Sequence, residues 1–276
     1  MRRATLFAIG ASALAAVDTV IVKLLTPHIH AFEIAFFRSW FGLLIALPFL
    51  IRGQSTFRSS MLPKHVLRAV LKYCAMVAFF VAVAHAPVAE VTAISLLAPP
   101  FTLFGAWLFL HQKQQARHFA VMSLGLVGAI IIVQPGTPAF NPYLLLAIAG
   151  AAGLSSVLLL LKQLTDSETP ATILFWNLLL TAVISIVPAV FVWSTPDSEQ
   201  LMLLVLQGGL SAAGILMMAH AAKRGVVGAI AALDFIRLPI AALLAFALLR
   251  EPIHPPILVG GIVILLSVII LSTYKN

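Results

Sequence analysis

The sequence predicts an all-α integral membrane protein whose ten transmembrane helices form two inverted five-helix repeats. Three observations carry that expectation. First, 62% of the 276 residues are hydrophobic and only 9% are charged, a composition outside the range of soluble domains. Second, the apolar runs recur at lengths that cross a hydrocarbon core roughly 30 Å thick as helices. Third, the stretch 85–112 aligns with 224–251 at a constant offset of 139 residues.

The spans read, in order, as 4–25, 31–51, 66–86, 89–110, 116–133, 142–163, 171–193, 200–222, 226–249 and 255–273. Arg2 and Arg3 followed by an apolar run look like a secretory leader, but the run continues through Val22, so it is taken as the first span. TPHIH at 26–30 turns the chain into the second, which ends before the longest polar connection, 52–65. The third holds Lys72, Tyr73 and Cys74, the last read as a free thiol packed within the helix. Ala86-Pro87 opens the fourth, where Thr92, Ser95 and Pro99 share a face by helical spacing. QPGTPAFNP at 134–142 closes the fifth. Gly150 and Gly153 in the sixth, and Gly208 and Gly209 in the eighth, suit close helix packing. STPDSE at 194–199 follows the seventh. The ninth carries Asp234, Arg237 and Pro239 near its middle, and prolines at 252–256 introduce the tenth.

Charge sets the orientation. Arg2, Arg3, Arg52, Arg58, Lys64, Arg68, Lys113, Arg117, Lys162, Lys223, Arg224 and Lys275 fall at the termini and in the even-numbered loops, while Arg250 alone falls in the odd ones. The positive-inside rule then puts both termini in the cytoplasm. The net charge of +8 is therefore a topology signal, not a nucleic-acid footprint. In the repeat alignment Val88 meets Val227, Ala93 meets Ala232, Pro100 meets Pro239, Ala106 meets Ala245 and Leu110 meets Leu249. Two units follow, 1–135 and 140–276. With five spans each, an odd number, the second is inserted upside down, and such repeats place a substrate site near the midplane.

Lys23, Arg38, Lys72 and Arg237 remain inside spans, with the acids Asp18, Glu33, Glu90 and Asp234. A midplane charge costs at least about 2.5–3.5 kcal/mol on insertion scales, so these groups face protein or water. Asp234 and Arg237, three residues apart, meet on one helix face, and Pro239 frees a carbonyl close by. The pair reads either as a structural ion pair between helices or as part of a binding site. Asp18, Arg38, Asp234 and Arg237 are expected to converge on one cavity. Lys72 either snorkels to the nearer surface or joins them; Lys23 is a further candidate for the substrate-binding set, although it and Glu33, near the periplasmic ends, can also simply reach water. Ser95, Tyr73 and Trp40 complete the candidate substrate-binding set, the aromatics as stacking surfaces.

No metal, cofactor or catalytic residue is expected. His28 and His30 lack further ligands, His85 and His220 sit at helix ends, and no HExxH, GxSxG or phosphate loop occurs. A gradient or exchange must supply the energy.

The proline-bearing repeats, the segment 86–100 and LDFIRLPIAALLAFALLREP at 233–252 resemble the drug/metabolite transporter superfamily, EamA type, across essentially the whole chain. His111-Gln112 stand where the family often has an acid after the fourth span, whereas Glu251 closes the ninth. HAFEIAFFRSWFGLLIALPF at 30–49 is locally similar to the branch of S-adenosylmethionine uptake transporters, where Glu33 and Arg38 have counterparts. The resemblance implies a secondary transporter of a small organic metabolite in the cell inner membrane, working by alternating access. S-adenosylmethionine or another zwitterionic, aromatic metabolite is the expected substrate. Export of amino acids or drugs and riboflavin import are the alternatives within the superfamily. An enzyme acting on a lipid is the alternative of another class, and it lacks the loop cluster of acids or histidines such enzymes use. The expected partners are the small-molecule substrate, the lipid bilayer, a proton or exchanged solute for coupling, and a second copy in a homodimer; no nucleic acid is expected.

Overall fold

The computed structural model describes residues 2–52, 58–111, 116–165, 167–224, 234–252 and 254–273, and every regular element among them is helical. In chain order these are α1 (Arg2–Leu25), α2 (Ala31–Arg52), α3 (Leu62–His85), α4 (Val88–Ser95), α5 (Ala98–Leu110), α6 (Ala116–Val133), α7 (Leu144–Thr165), α8 (Pro170–Phe191) and α9 (Ser198–Arg224). A 3-10 turn (Asp234–Ile236), α10 (Arg237–Leu244), a π turn (Ala245–Leu249) and α11 (Pro255–Thr273) follow. Seven helical stretches among the described residues are long and apolar enough to cross a membrane, one being Val88–Leu108, which runs through α4 and α5. Phe119–Val133 and Pro255–Ser267 are shorter apolar helices. The start of the expected ninth span lies outside the described residues, as do Val227 and Ala232 of the repeat alignment, Gln112, Lys113 and Lys275.

The fourth span is not one helix, as expected, but two. α4 stops at Ser95, and Leu96 and Leu97 make tightened bonds to Ala93 O (3.2 Å) and Ile94 O (3.0 Å). α5 then starts at Ala98, so Pro99 and Pro100 occupy its first turn, where a missing N–H costs nothing. The described part of the ninth span opens at the matching place. Its 3-10 turn begins at Asp234 and α10 begins at Arg237. At the offset of 139 these positions match Ser95 and Ala98. Pro239, expected to remove a donor and free a carbonyl within the span, sits in the opening turn of α10. Both spans also end alike: His111 (φ 50°) and Arg250 (φ 55°) are left-handed caps 139 residues apart.

α3 also departs from expectation, beginning at Leu62, a full turn before residue 66. This carries Lys64, counted above as a loop residue, into the helix; Arg68, counted with it, already fell within the expected span.

The helices pack as α1 on α9 and α10, α2 on α8 and α9, α3 on α7 and α8, α4 on α10, α4 and α5 on α7, and α6 on α11. Small residues permit the closest approaches: Gly150 and Gly153 of α7 lie against Ala75 of α3, and Gly208 of α9 lies against Phe41 of α2. Gly128 of α6 and Gly260 of α11 each face the other's backbone carbonyl. The largest core cluster joins Val22 and Leu25 of α1, Ile34 of α2, Val91 and Ile94 of α4, Leu144 of α7 and Leu204 of α9. Outward faces are apolar, with Val66, Leu67 and Val70 on α3 and Val187, Val190 and Phe191 on α8 exposed. Water at such faces is disfavoured by about 25 cal/mol per Å²; hydrocarbon suits them. Cys74, expected to be packed, is exposed on the same side of α3.

Candidate functional site

Below, the proximal end of the bundle is where α1 starts and the distal end is where α1 turns into α2. Between the ends, polar side chains gather in two clusters that have α1 in common.

The first cluster lies where the α4–α5 break meets the start of α10. Arg237, the first residue of α10, donates through Nη2 to Ser95 Oγ at 2.8 Å, and Ser95 is the last residue of α4. Ser95 Oγ in turn donates to Thr92 O at 2.7 Å, within the last turn of α4. Arg237 Nη2 is also 3.6 Å from Asp234 Oδ2, as their spacing predicted. Ser12 of α1 donates to the other oxygen, Asp234 Oδ1, at 2.9 Å. A helix break exposes backbone groups and aims side chains from both broken segments at one point, which is the geometry of transporter ligand sites. Nothing in the sequence pointed to Ser12, because its role depends on which helix α1 meets.

The second cluster binds α1, α2 and α3. Arg38 Nη2 is 3.2 Å from Asp18 Oδ2. Its Nη1 approaches Met76 Sδ at 3.2 Å, and the guanidinium lies 5.8 Å from the Phe80 ring centroid. Arg68, Lys72, Met76 and Phe80 succeed one another every four residues, forming one stripe along α3. Lys72 is partly buried within electrostatic reach of Arg38 and Arg68. Arg68 is only 9% exposed. Its four-residue spacing from Lys72 was the available signal for a buried role. Tyr73 is buried in the core, and its hydroxyl lacks a partner among the described residues. Trp40 packs between Phe36 and the α2–α8 contact.

The distal end is tied by charges. Lys23 Nζ lies 3.5 Å from Glu251 Oε1 and donates to Ala86 O at 3.0 Å. Glu251 Oε2 accepts the Val88 N–H, the first of α4, at 2.8 Å. Glu33, expected to reach water, is fully buried and accepts from the Ser194 N–H (3.1 Å) and hydroxyl (2.9 Å). Lys23 thus closes the distal end instead of pointing into solvent.

The proximal end is tied by Glu168 in the α7–α8 turn, which meets His65 Nε2 at 2.6 Å and accepts from Ser59 Oγ at 2.5 Å. Burial pushes the Glu168 carboxyl up, but hydrogen bonds from Ser59 and His65, the charge on His65 and the Met61 backbone outweigh it and hold it below its usual range. An open cleft of about 370 Å³ lined by Arg58, Ser59, Ser60 and Glu168 lies beside this tie.

Comparison with known proteins places this architecture. The model of the EamA-like transporter family matches residues 2–134 and again residues 141–273, with both boundaries 139 residues apart. The S-adenosylmethionine uptake transporter of Rickettsia bellii is 30% identical over 249 residues, covering 90% of this chain and 86% of that one. The riboflavin transporter of Brucella anthropi is 33% identical over 53% of this chain and 52% of its own. The pseudopaline exporter of Pseudomonas aeruginosa is 25% identical over 70% and 68%. A protein of known crystal structure, 20% identical, superposes with a TM-score of 0.68 over 97% of this chain and 96% of the other, so the fold is shared. With its apolar spans and its two family matches, this chain is a multi-spanning membrane protein that belongs to the EamA-like transporter family, whose named relatives move small molecules and are not enzymes.

Proposed function

We propose that this protein is a secondary transporter of a small zwitterionic metabolite bearing a flat ring, S-adenosylmethionine first among them, working by alternating access across the bacterial inner membrane. The observation that carries the reading is the Arg237–Ser95 hydrogen bond, which joins the end of α4 to the start of α10 near the middle of two repeat-related spans. The packing supports an inverted repeat of ten spans. Exchange α1, α2, α3, α4–α5 and α6 for α7, α8, α9, α10 and α11, and α1–α9 becomes α7–α3 while α2–α9 becomes α8–α3. Under the same exchange α2–α8, α4–α10 and α6–α11 map onto themselves. The units are 1–135 and 140–276, and the proximal end, rich in Lys and Arg, is cytoplasmic.

In this reading Asp18 and Asp234 receive the cationic group of the substrate or a coupling proton. Arg38, Arg237 and Lys72 answer its anionic group. Phe80, Tyr73 and Trp40 offer apolar faces to the ring. The ties Lys23–Glu251 and Glu33–Ser194 at one end, and Glu168–His65 at the other, each join the two units. Breaking one set at a time opens one side at a time. The similarity to the Rickettsia bellii transporter over 90% of the chain supports the substrate class.

Counterflow of labelled S-adenosylmethionine in proteoliposomes tests this with wild type and Arg237→Ala side by side. The expected result is uptake by the wild type and its loss in a correctly inserted variant. Equal uptake by both removes Arg237 from the path. No uptake by the wild type removes this substrate, and riboflavin follows in the same assay.

A further inference from the structure

We propose that Arg68 and Lys72, with Arg38 above them, form the seat of the anionic group of the transported molecule, a carboxylate. This deepens the transport reading and rests on it. The argument begins with charge matching. Asp18 pairs with Arg38, Asp234 with Arg237, Glu251 with Lys23 and Glu168 with His65, while Glu33 is held by Ser194. Glu90 has Glu251 and His254 as its charged neighbours. Asp197 and Glu199 stand at the start of α9, at the distal end, and among the described residues no carboxylate forms an ion pair with Arg68 or Lys72.

Arg68 nevertheless is 9% exposed, and its Nε and Nη1 have no hydrogen-bond partner among the described residues. The charges bearing on Lys72 are those of two further cations, Arg38 and Arg68. Three cations with one acid, Asp18, therefore line this stripe. An excess of buried positive charge is costly unless an anion completes it.

Direction distinguishes the source of that anion. Val66, Leu67, Val70 and Cys74 mark the lipid-facing side of α3. At 100° per residue Arg68 and Lys72 fall on the opposite side. They face the bundle and not the headgroups, so the anion is one carried by a solute inside. The planar guanidinium matches a carboxylate with two parallel hydrogen bonds, and the lysine adds a point charge. From Arg68 to Phe80 the stripe runs about 18 Å at 1.5 Å per residue. An amino-acid carboxylate at its proximal end and a flat ring near Phe80 fit that length.

The test compares S-adenosylmethionine with its decarboxylated analogue in proteoliposomes, for wild type, Arg68→Gln and Lys72→Met. The wild type is expected to favour the carboxylated substrate at least about tenfold in KM, and each variant to lose most of that preference. An undiminished preference in both variants overturns the proposal. Should the wild type move neither compound, the substrate reading fails by itself, and thermal unfolding of the purified, substrate-free protein then judges the seat. Removing an unmatched buried cation is expected to raise Tm in Lys72→Met and Arg68→Gln. A lower Tm in both makes the cations structural and overturns the proposal. Micelles with and without phosphatidylglycerol form the last arm: a Tm rise with that lipid in the wild type, absent from the variants, assigns the cations to a headgroup and likewise overturns it.

Discussion

Substituting Ser95 by Ala removes the acceptor that Arg237 uses to join α10 to α4. The bond is 2.8 Å long and Ser95 is 7% exposed, while the Arg237 side chain is 17% exposed. A hydrogen bond to a charged group contributes about 1.5–3 kcal/mol in soluble proteins, whereas interhelical bonds in membranes average about 0.6 and reach about 1.7 kcal/mol. The charge and burial place this one near the upper membrane value, about 1–1.7 kcal/mol. On the alternating-access reading proposed above, the loss of a bond that holds this conformation shifts the balance between conformers roughly 5- to 20-fold. A double-mutant cycle isolates it: Ser95→Ala, Arg237→Met and the combination, each read by thermal unfolding and by uptake rate. The expected coupling is about 1 kcal/mol. Single effects that add to within about 0.3 kcal/mol would refute the link and, with it, the idea that the two breaks act as one unit.

Two further outcomes follow from other parts of the bundle. Glu168 is held below its ordinary value of 4.5, so its ties stabilise the protein above that value and are lost as pH falls through the lowered one. Thermal unfolding between pH 7 and pH 3 should show part of the acid-dependent fall in Tm abolished in Glu168→Gln; an unchanged pH profile contradicts the role of the tie. A Cβ on Gly208 would collide with Phe41 Cβ, whereas one on Gly214 meets nothing within 4 Å. Gly208→Ala should therefore cost about 1–3 kcal/mol, and Gly214→Ala should gain about 0.5–1 kcal/mol from helix propensity. Comparable Tm values for the two variants argue against close α2–α9 packing.

Much of the architecture is legible in one dimension. Whether a segment enters a bilayer depends on the summed transfer energy of about twenty consecutive residues, and that sum is written in the segment itself. The 139-residue offset and its prolines were readable for the same reason, since both are local patterns. Asp234 and Arg237 were readable as a pair because three residues on a helix are neighbours whatever surrounds them. Pro239 was read as a donor missing within the span, yet it sits in the opening turn of α10, as Pro100 sits in that of α5.

What only the tertiary structure decided is which distant groups meet. Asp18 and Arg38, Ser12 and Asp234, Lys23 and Glu251, and Ser95 and Arg237 lie on different helices, up to 228 residues apart. Hydropathy places all of these side chains at some depth but assigns none of them a neighbour. Arg68 shows the difference most plainly. Its charge placed it with the loop residues in a count along the chain although it falls within the expected span, and the helices packed on that side of α3 bury it. Burial is a property of the helices around a residue, and their arrangement is settled by packing between segments, which no single segment encodes.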